Sequence, residues 1–153
     1  MPSNRRGVLG AALASISAAL AIGATQARAD VQGSSPDKRK VVYHLTDLDK
    51  VAFVLGNIQN HFDGMGGPDK VTIALVVHGP ALKAFHAASA NPDVTRRVAK
   101  FAKAGTQLTA CGHTMKAQEV TLQDLLPGFV AADEGGVVRV AELQSQGYVY
   151  LRP

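Results

Sequence analysis

The sequence predicts an α/β domain in which helices cover both faces of a mostly parallel sheet. Strand-like and helix-like segments alternate from residue 40 to the end of the chain, which is the signature of this class. The run Val71–Val77 is apolar apart from Thr72, as expected of a central strand buried on both faces. A third segment, 105–115, passes from β-branched residues through a glycine turn into a helix-like stretch.

The first 29 residues predict an export signal. Arg5 and Arg6 precede an uncharged run from Gly7 to Gln26, and Ala27-Arg28-Ala29 has the small-x-small pattern of a cleavage site. The paired arginines resemble a twin-arginine signal. An uncleaved membrane anchor is the alternative, but the run is rich in alanine, glycine and serine. We therefore expect cleavage before Asp30, localisation in a bacterial periplasm, and contact with a membrane only during export.

The remaining chain divides into a lead-in and one domain. Residues 30–39 are polar and include Gly33-Ser34-Ser35-Pro36, which predicts a flexible segment. Residues 40–153 form the folded domain. The chain's net charge of +4 falls to +1 without residues 1–29, which hold three arginines and no acid. This balance excludes nucleic acid as an expected partner, and the single cysteine excludes an intramolecular disulfide.

The elements are predicted from apolar periodicity and turn residues. A capping-box-like sequence, Thr46–Asp49, precedes a helix that ends at the glycine-rich segment 63–68. The stretch 137–146 fits either a strand or a helix. The apolar face of the first helix comprises Leu48, Val51, Ala52, Leu55, Ile58 and Phe62. The other predicted elements are strands 40–45, 71–77, 106–110, 129–132 and 148–151, a short helix through Leu82, Phe85 and Ala88, a helix burying Val94, Val98, Phe101 and Ala102, and a helix starting near Thr114.

Chemically active side chains follow three of these strands. The strands end at His44, at His78, and at Cys111 with His113. Parallel strands bring their carboxyl ends to one edge, where ligands gather in this class. Helix N–H groups and a histidine would lower the pKa of the Cys111 thiol from a free value of roughly 8.5. Alternatively, Cys111 is a small buried hydrophobe and the histidines bond backbone carbonyls.

Two kinds of site fit this residue set. With His113 or His78 favouring its thiolate, Cys111 would be a nucleophile or a persulfide carrier. A thiolate with the imidazoles of His44, His78 and His113 is also a ligand set for copper or zinc, and the same cluster could instead form a non-catalytic module that binds a metal or a small ligand. No close ligand spacing such as CxxC or HExxH supports the metal site.

Several motifs in chain order resemble the DsrE/DsrF-like sulfur-relay family. They are Val42-Tyr43-His44, Asn57-Ile58-Gln59-Asn60-His61, Val76-Val77-His78-Gly79, Ala110-Cys111-Gly112-His113-Thr114-Met115 and the closing stretch 142–150. The resemblance implies a three-layer α/β/α domain with a five-stranded sheet, homo-oligomers, and a helix at 137–146. It implies that Cys111 carries sulfur as a persulfide between donor and acceptor proteins or small sulfur compounds, as a relay carrier or sulfurtransferase without a cofactor. Neither the residues nor the resemblance assigns a role to Asn57 or Asn60.

Overall fold

A computed structural model describes residues 38–153 as a five-stranded sheet with helices on both faces. All strand pairs are parallel, and the strand order is β4-β3-β2-β1-β5. The strands are β1 Arg39–Leu45, β2 Val71–Val77, β3 Gln107–Cys111, β4 Phe129–Ala132 and β5 Val149–Leu151. The predicted fold class and the five-stranded sheet are therefore confirmed. The predicted signal peptide and the lead-in up to residue 37 lie outside the described residues.

Four α-helices and three 3₁₀ segments connect the strands. The α-helices are α1 Val51–Met65, α2 Pro92–Lys103, α3 Gly112–Ala117 and α4 Gly136–Ser145. The 3₁₀ segments are Leu48–Lys50, Gly79–Phe85 and Leu122–Asp124. Within the described residues, no helix is both long enough and apolar enough to cross a bilayer.

The two faces of the sheet bury cores of different size. Alternate residues of β1 point to opposite faces, so Tyr43 joins the larger core while Val42 joins the smaller one. Side chains from α1, α2 and the 3₁₀ segment Gly79–Phe85 complete the larger core. On the other face, α4 contributes Val140 and Leu143 to the smaller core. The helix α4 therefore covers the face with the smaller core, and because it follows β4 it begins near the carboxyl ends of the strands.

The structure corrects the boundaries around the cysteine. The predicted strand 106–110 lies one residue later, and the following helix begins at Gly112 rather than near Thr114. Cys111 is therefore the last residue of β3 and also the N-cap of α3. The ambiguous stretch 137–146 is helical, as the resemblance implied.

The predicted capping box at Thr46–Asp49 does not form. Asp47 is the N-cap of a 3₁₀ turn and makes no side-chain cap bond. The side chains of Thr46 and Asp47 face Arg152 instead, which donates to Thr46 Oγ1 at 3.2 Å and lies 3.8 Å from the Asp47 carboxylate. A reciprocal box forms at Thr121 and Asp124, where no such competitor engages the side chains.

Two predicted helical faces also need correction. Leu48 is exposed because it belongs to a separate 3₁₀ segment, and Ala52 is exposed because it lies roughly 100° around α1 from Val51, outside the buried face. The predicted helix through Ala88 is the 3₁₀ segment Gly79–Phe85, and Ala88 lies beyond it on the surface.

Candidate functional site

Three predicted site residues end neighbouring strands at one edge of the sheet. His44 lies in β1, His78 follows β2, and Cys111 ends β3. Strand alternation places all three on the face covered by α4, because the adjacent Tyr43, Val77 and Ala110 point into the opposite core. The site therefore lies between the strand ends and the start of α4.

His44 and His78 form a stacked imidazole pair. Their ring centroids are 4.7 Å apart with an angle of 14° between the planes, and their Nε2 atoms share a hydrogen bond. The Nδ1 atom of His44 bonds the Tyr150 hydroxyl at 2.8 Å. Burial lowers the pKa of both histidines, the positive charge of Arg152 lowers both further, and the charge of His78 also lowers that of His44. Both rings are therefore neutral at pH 7.

Gly136, the first residue of α4, contacts the cysteine and one of the histidines. A Cβ placed on Gly136 would lie 3.2 Å from Cys111 Cβ and 3.3 Å from His78 Cβ. The preceding Gly135 has φ 107°, a conformation that other residues rarely adopt, and a Cβ there would lie 3.0 Å from the His113 ring. The Gly135-Gly136 pair thus allows the N-terminus of α4 to approach Cys111.

The surroundings of Cys111 favour its thiolate. Only 5% of the residue is exposed, and this burial is the largest single effect, raising the pKa of the thiol. The Thr114 hydroxyl and the backbone N–H groups of Thr114, Gly136 and His113 oppose it, and together they bring the pKa below its ordinary value. The geometry of the N-cap falls short of a full hydrogen bond, so these groups act as polar contacts.

The orientation of the Thr114 hydroxyl is set by a neighbouring loop. Thr114 Oγ1 accepts a hydrogen bond of 2.9 Å from the backbone N–H of Gly79. Gln118 supports this loop by donating to the Gly79 carbonyl at 3.0 Å, and it also bonds the His86 ring at 2.9 Å. Because Oγ1 accepts from Gly79, its own hydrogen is free to point toward the Cys111 sulfur.

The two histidines predicted to act on Cys111, His78 and His113, differ in their position relative to it. The Cβ atoms of His78 and Cys111 both lie against Gly136, whereas the exposed His113 ring lies beside Gly135. Within residues 38–153, no imidazole hydrogen-bonds to the sulfur, and His113 acts on it through its backbone N–H. The joint role of Cys111, His78 and His113 stays a prediction.

No observation favours the metal-binding alternative. In the described part of the chain, no group of three or more histidine, cysteine, aspartate or glutamate side chains is arranged to hold a metal ion. The set His44, His78, Cys111 and His113 divides into an imidazole pair, a cysteine beside one member of that pair, and a separate exposed histidine.

Sequence reasoning missed three contributors to the site. Gly136 supplies the close approach of α4, Thr114 supplies a hydroxyl from inside α3 rather than a helix cap, and Tyr150 holds the His44 ring. The adjacent Gly135 and Gly136, which precede the apolar stretch 137–146, were a sequence signal for the close approach of α4. The Thr114 hydroxyl follows Cys111 by only three residues, but its orientation depends on the distant Gly79, and Tyr150 is 106 residues from His44, so sequence spacing predicted neither role.

Comparison with known proteins gives a family and a fold. The sequence profile of the DsrE/DsrF-like family matches residues 26–153. A structure of a protein of unknown function, MTH1491 from Methanobacterium thermoautotrophicum, is 24% identical with a TM-score of 0.66, covering 75% of this chain and 99% of that one. The YchN protein from E. coli is 10% identical with a TM-score of 0.55 and the same coverage. No curated protein sequence matches this chain.

The Thr114 hydroxyl provides a test of the thiolate environment. Replacing Thr114→Val keeps the side-chain shape but removes the hydroxyl, so the pKa of Cys111 should rise. We expect alkylation by iodoacetamide at pH 7 to slow several-fold, with the midpoint of the pH–rate profile moved to higher pH.

Two further variants control this measurement. Thr114→Ser restores the hydroxyl and should restore the profile, while Thr95→Val removes an exposed hydroxyl on α2 and should leave it unchanged. An unchanged profile in Thr114→Val would show that the hydroxyl does not act on the sulfur.

Proposed function

Since this chain belongs to the DsrE/DsrF-like family, which suggests a sulfur-relay role, we propose that it carries sulfane sulfur on Cys111 as a persulfide. The observation that carries the proposal is the position of Cys111 between the starts of α3 and α4, where one hydroxyl and three backbone N–H groups hold its pKa below the ordinary value. A thiolate is the form that attacks a sulfane sulfur atom. The same polar groups would stabilise the negative charge of a bound persulfide.

The isolation of Cys111 also supports a carrier. It is the only cysteine in the chain, so no second thiol of the same chain can attack a persulfide and release its sulfur. Burial limits access of oxidants to the sulfur. A loaded Cys111 would therefore keep its sulfur until an acceptor thiol or a small sulfur compound reaches it.

Loading with excess inorganic polysulfide tests the proposal. The intact mass of the protein should rise by one or more sulfur atoms, and dithiothreitol should remove the gain, because it reduces the sulfur–sulfur bond. Cys111→Ser has no thiol and should gain nothing. Equal loading of the wild type and Cys111→Ser would eliminate the carrier.

We also propose that the protein forms homo-oligomers. Large apolar side chains are exposed on the domain, including Phe53, 56% exposed, and Val149, 61% exposed. Exposed apolar side chains mark contact surfaces where they form a contiguous patch, and the resemblance to the DsrE/DsrF-like family implies homo-oligomers. Light scattering at micromolar concentration should give a multiple of the protomer mass, and a strict monomer would refute the proposal.

Export through the twin-arginine route is the third proposal, supported by Arg5-Arg6 ahead of an alanine-rich run. That route carries folded proteins, so Cys111 could be packed or loaded before it meets periplasmic oxidants. The double variant Arg5→Lys, Arg6→Lys keeps both charges and should leave an unprocessed precursor in the cytoplasm. Wild type should be cleaved before Asp30. Normal processing of the lysine variant would indicate the general secretory route instead.

A further inference from the structure

An open cavity of about 330 Å³ lies between the edge strand β4 and α4. Its apolar side chains include Val130 and Val138, and both are substantially exposed. Its polar lining includes the acidic residues Asp133 and Glu134. A cavity of this size accommodates a small molecule with both apolar and charged parts.

A buried hydroxyl on the cavity wall has no partner. Thr109 lines the cavity from β3, and only 2% of the residue is exposed. Its Oγ1 atom makes no hydrogen bond to any of residues 38–153. An unsatisfied buried hydroxyl costs stability, so a polar ligand or a water molecule that reached the Thr109 hydroxyl from the cavity would remove that cost.

The charged side chains that line the cavity favour a ligand with an amino group, and Arg139 can also bind a carboxylate of that ligand. Arg139 pairs with Glu142 at 3.2 Å, whereas Asp133 and Glu134 form no ion pair with any described residue. Both carboxylates are exposed, and neither is paired with a cation among the described residues. Arg139 also retains guanidinium donors beyond its bonds to Glu142 and Gln107. A zwitterion with an ammonium and a carboxylate group matches this pattern.

The acidic residues lie next to the sulfur site. Ala132, which lines the cavity, pairs with Cys111 in the sheet. A Cβ on Gly112 would lie 3.0 Å from the Cα of Asp133. The cavity thus borders the peptide that carries the cysteine.

We propose that this cavity binds an amino-acid persulfide, R–S–SH with R bearing ammonium and carboxylate groups, as the sulfur donor for Cys111. The inference rests on the proposed carrier function for its reaction, but not for the binding. The Cys111 thiolate attacks the terminal sulfur of R–S–SH. A new sulfur–sulfur bond forms on Cys111, the donor's sulfur–sulfur bond breaks, and R–S⁻ leaves. The product is Cys111–S–SH, and no external oxidant or reductant is consumed.

S-methyl-L-cysteine is an unreactive probe for the cavity, because a methyl group replaces the transferable sulfur. Calorimetric titration should detect its binding to the wild type. Acetylating its amino group should abolish binding, because the acidic pair then has no ammonium to receive. The double variant Asp133→Asn, Glu134→Gln should weaken binding about tenfold. The control Asp63→Asn, Asp69→Asn removes two acids just before the amino end of the central strand β2, away from the cavity, and should bind normally.

The Thr109 hydroxyl allows a second, independent test of ligand binding in the cavity. Thr109→Val should weaken binding about fivefold, and the melting temperature of the free protein should stay equal or rise, since an unsatisfied hydroxyl is lost. Thr106→Val is the matched control, because Thr106 is also buried without a partner but does not line the cavity. That variant should bind like the wild type.

Three results would overturn the inference. They are no binding to the wild type at millimolar concentration, equal affinity in the acidic variant and its control, and a destabilised Thr109→Val with unchanged affinity, as expected if only water occupies the cavity. Because S-methyl-L-cysteine cannot transfer sulfur, these results are independent of whether Cys111 accepts sulfur from polysulfide. A protein that loads sulfur but does not bind the probe would refute the donor site alone.

Discussion

The close approach of α4 to the strand ends determines the geometry of the site. Gly136 lies against the Cβ atoms of both Cys111 and His78, so a side chain at this position would be crowded and its neighbours would have to shift by a few tenths of an ångström. This contact brings a helix N–H group close to the sulfur from one side, while on the other side Cys111 occupies the N-cap position of α3 without a capping hydrogen bond from its side chain. Backbone N–H groups at the starts of two helices therefore act on one sulfur atom, and helix starts favour negative charge.

Two opposing effects determine the pKa of Cys111: burial raises it, and polar contacts lower it. Burial alone would keep the thiol protonated, and the lowered pKa depends on four groups of three residues, His113 and Thr114 in α3 and Gly136 at the start of α4. The loop after β2 takes part indirectly, since Gly79 orients the Thr114 hydroxyl. The imidazole pair of His44 and His78 stays neutral beside this centre, so it adds no fixed positive charge to compensate a thiolate.

Sequence patterns predicted much of the fold, but for the site they predicted only which residues lie together and not the contacts between them. The apolar run Val71–Val77 predicted a central parallel strand, and strand ends predicted which residues share an edge. Periodicity could not place the start of α3, because glycine and threonine suit several positions in a turn. Nor could it show that Arg152 would engage Thr46 and Asp47 in place of a capping box, since that contact joins residues about a hundred positions apart.

The central claim is that Cys111 holds sulfane sulfur in the cell. It is tested most directly by isolating the protein from its native host under conditions that preserve persulfides, blocking free thiols, and mapping peptides by mass spectrometry. The account predicts that the peptide containing Cys111 carries one additional sulfur atom, which a reductant removes. Recovery of this peptide only as an unmodified thiol, in cells where other persulfides are preserved, would contradict it.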